Sequence, residues 1–138
     1  MATQIFVNLP VKNLERSMAF FTALGFSINP QFTNDKAACV VVSDTIYVMI
    51  LTEEFFNTFL RNKTISDATK TSEVLIALSA DSRAAVDELA DKALGAGGST
   101  FRDSDDHGFM YARSFGDPDG HVWEVVWMDL SAAPPEPA

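Results

Sequence analysis

This 138-residue chain has one cysteine, two histidines and about half as many basic as acidic residues, and these shortages narrow what it can be. The single thiol, Cys39, cannot close an internal disulfide, and its place in the apolar run 37–42 marks it as a buried small hydrophobe. Ten Lys and Arg stand against 19 Asp and Glu, a net charge of −9 with no basic cluster to offset it. Such a surface repels polyphosphate and argues against nucleic-acid partners. No apolar run reaches the roughly 18 residues needed to cross a bilayer, so no membrane partner is expected. Residues 1–10 lack the basic stretch and apolar core of a secretory signal, and the expected location is cytoplasmic. Apolar material is plentiful: 47% hydrophobic and 11% aromatic residues suffice for a packed core. The Pro/Ala-rich end, 131–138, has no periodicity and reads as a disordered tail.

Along the chain, residues 4–9 alternate with Ile5, Val7 and Leu9 on one side, as a half-buried strand does, and Pro10 ends the run. Asn13 is placed to cap a helix from Leu14 to about Leu24, whose Leu14, Met18, Phe21 and Leu24 share a face. Gly25 stands where a left-handed residue closes such a helix. Strand-like runs follow at 26–32, 37–42 and 46–51, separated by turn-forming stretches. The second half repeats this order. A strand at 74–80 precedes a helix from Arg83 to Leu94, capped by Asp81 or Ser82, with Val86, Leu89, Ala90 and Leu94 inward. Strands at 99–102, 109–114 and 122–128 complete it. Ala23-Leu24-Gly25-Phe26 and Ala93-Leu94-Gly95-Ala96 hold equivalent places about 70 residues apart. The fold class is therefore α+β, a single domain over residues 1–130 made of two βαβββ repeats at about 4–60 and 73–129. A ferredoxin-like βαββαβ pair competes, but three strands after each helix favour the longer unit. Between the repeats, 53–60 carries Phe55, Phe56, Phe59 and Leu60 in a helical stripe and reads as a linker helix, and 62–71 reads as a polar loop.

Leu9-Pro10-Val11-Lys12-Asn13-Leu14-Glu15-Arg16-Ser17, then Phe20-Phe21 and Leu24-Gly25-Phe26, resembles the opening of glyoxalase and bleomycin-resistance-type proteins. Asp117-Pro118-Asp119-Gly120-His121-Val122-Trp123-Glu124-Val125 resembles their final hairpin. The likeness runs from about Ile5 to Met128 and is nearest to lactoylglutathione-lyase-like members of this vicinal oxygen chelate superfamily. It implies that eight strands form a curved, incompletely closed mixed sheet around a cup, with helices outside. It further implies a divalent metal held by four side chains, one from the first and one from the last strand of each repeat. Carried onto this sequence, those positions are Phe6, Val48, Leu75 and Glu124. Glu124 alone can bind a metal ion, so the usual metal site is not expected and the identity of any cofactor stays open.

The same placement makes a cup face of Phe6, Asn8, Ile46, Val48, Ile50, Leu75, Ala77, Ser79, Glu124 and Val126, with Phe109, Met110 and Tyr111 at its mouth. Strand alternation sends His121, Trp123, Val125 and Trp127 to the helix side, leaving His121 as a turn-edge residue. An apolar basin with one acid suits a small aromatic or amphipathic molecule. Phe6, Asn8, Val48, Ile50, Leu75, Ala77, Phe109, Tyr111 and Glu124 are the expected ligand contacts. A lone buried Glu124 should be protonated or pair with a cation, the ligand's own included. Glu124 and His107, which lies beside two carboxylates, are the candidate catalytic residues. A solvated loop histidine and ordinary core packing are the plainer readings of His107 and of the aromatics. Three functions follow: a bleomycin-resistance-type binding protein without chemistry, a lactoylglutathione-lyase-like lyase or isomerase with a rearranged metal site or Glu124 as general base, or a purely structural interaction module. A homodimer is expected, as family members commonly pair.

Overall fold

A computed structural model describes residues 2–132. The expected tail lies, from residue 133 on, outside the described residues; Ser131 sits in a turn, its N–H and hydroxyl donating to Asp129 Oδ1. The chain divides between Thr71 and Ser72 into two compact units. The first runs β1 (Ile5–Val11), α1 (Leu14–Ala23), β2 (Ser27–Asn29), β3 (Ala37–Val41), β4 (Ile46–Thr52) and a short α2 (Glu53–Asn57). The second runs β5 (Ile76–Ser79), α3 (Arg83–Gly95), β6 (Ser99–Thr100), β7 (Asp105–Asp106), β8 (Met110–Gly116) and β9 (Val122–Met128). Sheet orders are β1-β4-β3-β2 and β5-β9-β8-β6, with β7 also paired to β8. In both units the first strand lies parallel to the last, and the remaining pairs are antiparallel. The fold is thus α+β, two mixed sheets with no closed barrel among the described residues.

The helix ends follow the sequence chemistry. Asn13 Oδ1 accepts from Arg16 N at 3.0 Å, and Ser82 Oγ accepts from Ala85 N at 3.0 Å. Gly25 takes φ +103°, and Phe26 N–H reaches back to Phe21 O at 3.2 Å, closing α1 as only a left-handed residue allows. The buried stripe of α1 is Ser17, Phe20 and Phe21 with Leu24, rotated from the expected one, so Leu14 and Met18 are only half-buried. On α3, Val86, Ala90 and Ala93 are buried while Leu94 is exposed.

Four expectations need correction. Pro10 does not end the first strand: β1 runs on to Val11, and as an edge strand it tolerates a residue without an N–H. The strand expected at 26–32 ends at Asn29, because Pro30 has no N–H to give a ladder and starts a 3-10 turn capped by Asn29. The linker helix stops at Asn57 rather than continuing to Leu60. The strand expected at 99–102 is only Ser99–Thr100; the chain then leaves the sheet and returns as β7.

Candidate functional site

Strand register decides which side chains share a face, since partners across a ladder point the same way. In unit 1, Val7 pairs with Val48 and Leu9 with Ile50, and Leu9, Val48 and Ile50 are all buried. Phe6 pairs with Tyr47 and Asn8 with Met49. Val48 and Ile50, and Ile46 with them, therefore lie on the opposite face from Phe6 and Asn8, one residue out from their expected placement. Every residue of the run 46–51 is apolar or aromatic, so period-2 alternation gave no signal of which face was which. The open face of unit 1 carries instead the Phe6 ring, 50% exposed, stacked on Tyr47 with centroids 4.8 Å apart. Asn8 is exposed, its amide turned back to Phe6 O.

In unit 2 the expected alternation of β9 is as observed. Val125 packs with Val86 and Ala90 of α3, joined by Trp127, while Glu124 and Val126 lie on the other face beside Ser114 and Ala112. Ala77 pairs with Glu124 and shares that open face. Leu75 precedes β5 and is 57% exposed. Tyr111 is a correction: it pairs with Trp127 and packs on the helix-side cluster, and its hydroxyl donates to Asp87 Oδ1 of α3 at 2.6 Å. It is held on the helix side, away from Glu124's face. Phe109 is half-buried in the β7–β8 turn, its ring 6.5 Å from that of His107.

The residue that sequence reasoning missed is Arg102. Its guanidinium donates to Glu124 Oε1 through one nitrogen and to Asp105 Oδ2 through the other. Glu124 has its cation within its own chain, from the stretch that bulges between β6 and β7. The contact spans 22 residues, and nothing local in the sequence announces it. Arg102 holds Asp105 below the usual carboxylate range. A second arginine network flanks it on the helix side: Arg83 forks onto Asp106 at 2.6 and 2.9 Å and lies over the rings of Tyr111 and Trp127. That fork, with Gly108 N–H, brings the Asp106 carboxyl down to about 2.

His107 is exposed, and its N–H donates to Met110 O at 2.8 Å in the turn before β8. No hydrogen bond or ion pair among the described residues joins it to Glu124. The Asp-Pro-Asp-Gly turn is architectural: buried Asp117 accepts from Trp123 Nε1 at 3.1 Å and from the N–H groups of Asp119 and His121 at 3.0 Å. Burial raises the Asp117 carboxyl, with the His121 charge working against that shift.

The family's metal positions do not fit a divalent ion. Phe6 and Leu75 are exposed hydrocarbon, Val48 is buried on the helix face, and Glu124 is engaged by a guanidinium. Among the described residues no three His, Cys, Asp or Glu cluster as a metal site. Cys39 is buried, which pushes its thiol up and away from reactivity.

Residues 3–43 match the family model for the bleomycin resistance protein-like N-terminal region. Among solved structures, a hypothetical protein SA1046 from S. aureus is 29% identical with a TM-score of 0.76, covering 92% of this chain and 95% of that one. A glyoxalase/bleomycin resistance protein/dioxygenase family enzyme from Burkholderia phytofirmans is 17% identical with a TM-score of 0.76, over 92% of this chain and 99% of that one. The fosfomycin resistance protein FosX from Mesorhizobium loti is 17% identical, TM-score 0.68, over 95% and 96%. No curated protein matches the sequence. With its duplicated βαβββ topology, the chain has the fold of proteins of the glyoxalase/bleomycin resistance/dioxygenase superfamily, and residues 3–43 carry the likeness to the bleomycin resistance protein-like N-terminal region. No helix is long and apolar enough to cross a membrane among the described residues.

Proposed function

We propose that the chain is a small-molecule-binding member of this superfamily whose metal site has been lost, acting as a cytoplasmic homodimer on an aromatic or amphipathic ligand. The observation that carries this reading is Arg102 on Glu124: the one family position that keeps a metal-competent side chain is neutralised internally. That pair also removes the reason for a cationic ligand at Glu124. The exposed, stacked Phe6–Tyr47 surface of unit 1 offers a flat apolar partner to an aromatic ring. The lyase-like alternative needs Glu124 as a base. Its Oε1 would then have to leave Arg102 before taking a proton.

Thermal-shift screening of the full chain against planar aromatic and amphipathic compounds tests the reading. A ligand at about 100 times its Kd stabilises by about 2.7 kcal/mol and raises Tm by several degrees, and Phe6→Ala should weaken the hit. A blank across a broad set contradicts it. Light scattering tests the dimer, and a monomer at micromolar concentration refutes that part.

A further inference from the structure

Where β6 ends and β7 has not begun, β8 loses its neighbour. In an antiparallel strand the peptide groups turn alternately to one edge and the other. Phe109 O accepts from Asp129 N, and Asp117 N donates to His121 O, so the odd-numbered residues of β8 serve β9. Met110, Ala112, Ser114 and Gly116 therefore face the opposite edge. There Met110 O accepts from His107 N, Ala112 pairs with Asp105, and Gly116 pairs with Ser99. Of these four, Ser114 alone has no strand opposite among the described residues.

A cavity of about 360 Å³ lies at this gap, near the lower end of the range for small-molecule sites. Ser114 lines it together with Arg113, Arg102, Thr100 and Ser104, and Leu94 of α3 adds an apolar wall. Ser114 Oγ is closed to solvent, so what little of this residue stays open is its main chain and Cβ. No hydrogen bond among the described residues reaches its outward N–H or C=O. A main-chain donor and acceptor left open on a strand edge are what an added residue pairs with. Beside them, Arg113 donates through Nη1 alone, to Asp87 at 3.0 Å and to Asp91 at 2.9 Å, which leaves the hydrogens of its Nε and Nη2 unused. The Asp87 and Asp91 side chains are 48% and 69% exposed, so water screens their field, whereas the Arg113 side chain is only 22% exposed.

We propose that this gap binds a small molecule in which an amide N–H and a carboxylate flank one carbon, as in an N-acyl amino acid. Such a ligand completes the ladder as a single added residue. Its amide N–H donates to Ser114 O, and one carboxylate oxygen stands in for a strand carbonyl and accepts from Ser114 N–H. The other carboxylate oxygen accepts from the unused N–H groups of Arg113, a charge-assisted bond that an ordinary strand residue would not make. The acyl group lies toward Leu94. The site belongs wholly to unit 2, goes beyond the aromatic surface of unit 1 and does not depend on it. With few groups engaged, affinity for a minimal probe is on the order of millimolar.

Titration of the isotope-labelled full chain with N-acetyl-L-alanine, followed by amide NMR, tests this. Saturable shifts centred on 100–104 and 113–115 are expected. At saturation, hydrogen exchange at Ser114 N–H should slow, while Arg113 and Phe115, whose N–H groups turn to β9, keep their rates. Two control probes each remove one contact: N-acetyl-N-methyl-L-alanine lacks the donor, and N-acetyl-L-alanine methylamide lacks the charge. Each should bind roughly tenfold more weakly. Arg113→Lys keeps a charge for Asp87 and Asp91 without the fork, and should weaken N-acetyl-L-alanine several-fold. Equal affinity for either control probe, unchanged affinity in Arg113→Lys, unchanged Ser114 exchange at saturation, or no saturable shift overturns the proposal.

Discussion

The two units share one topology and differ in what covers the open face of the sheet. Unit 1 leaves hydrocarbon there: Phe6 stacked on Tyr47, with Met49 beside Asn8, and no charged residue on β1, β3 or β4. Unit 2 places a carboxylate there and ties it down with Arg102, while Arg83 and Arg113 bind carboxylates on the helix side. Each helix-facing layer holds a buried apolar core, because burying one face is what makes either unit fold, though in unit 2 ion pairs flank that core. The open faces have no such duty and have diverged. A duplicated fold thus keeps its backbone plan under the pressure of packing, while its chemistry is set residue by residue.

Substitutions at the two kinds of position should separate these layers. The largest effect belongs to the closed layer: Trp123→Ala removes a fully buried ring and leaves buried Asp117 without its indole donor, costing about 3–5 kcal/mol in urea denaturation. On the open face of unit 2, a double-mutant cycle of Arg102→Ala and Glu124→Gln should give a coupling of about 1 kcal/mol, small because the Arg102 side chain is 40% exposed.

Acid should act on unit 2 in the same sense. Asp106 is lowered to about 2, so its contribution is full above the ordinary carboxylate value near 4 and is lost as pH falls through about 2. Asp87 and Asp105 are shifted the same way by Tyr111 and Arg113, and by Arg102. Asp117, raised by burial, works oppositely and costs stability as pH rises past the usual carboxylate range. Both tryptophans, Trp123 and Trp127, belong to unit 2, so their fluorescence reports it alone. Asp106→Asn should flatten the stability loss between about pH 4 and pH 2; an unchanged acid limb would show that the Arg83 fork contributes nothing. The smallest effect on stability is expected at Phe6→Ala, below about 1 kcal/mol for a ring already half in water, even as it weakens an aromatic ligand.

Much of this fold was legible in the chain. Asn13, Ser82 and Gly25 are helix-end signals with local causes, and Asp117-Pro118-Asp119-Gly120 is a turn whose carboxylate does its own organising. The facing of β9 was readable because Glu124 breaks the apolar run and fixes the phase. Strand β4 has no such marker, and its faces came out inverted, taking Val48 and Ile50 with them. The Arg102–Glu124 pair was out of reach for another reason: a salt bridge joining a loop to a strand 22 residues on leaves no periodic trace. The cation that Glu124 called for was foreseen as a need, and its source is what the fold supplied.

Metal titration of the purified, chelator-treated full chain by calorimetry, with Zn²⁺ and Ni²⁺, tests the central claim that Arg102 has taken the metal's place at Glu124. The account predicts no stoichiometric tight binding in the unaltered protein. One equivalent of metal bound tightly by that protein, and lost in Glu124→Gln, would contradict it.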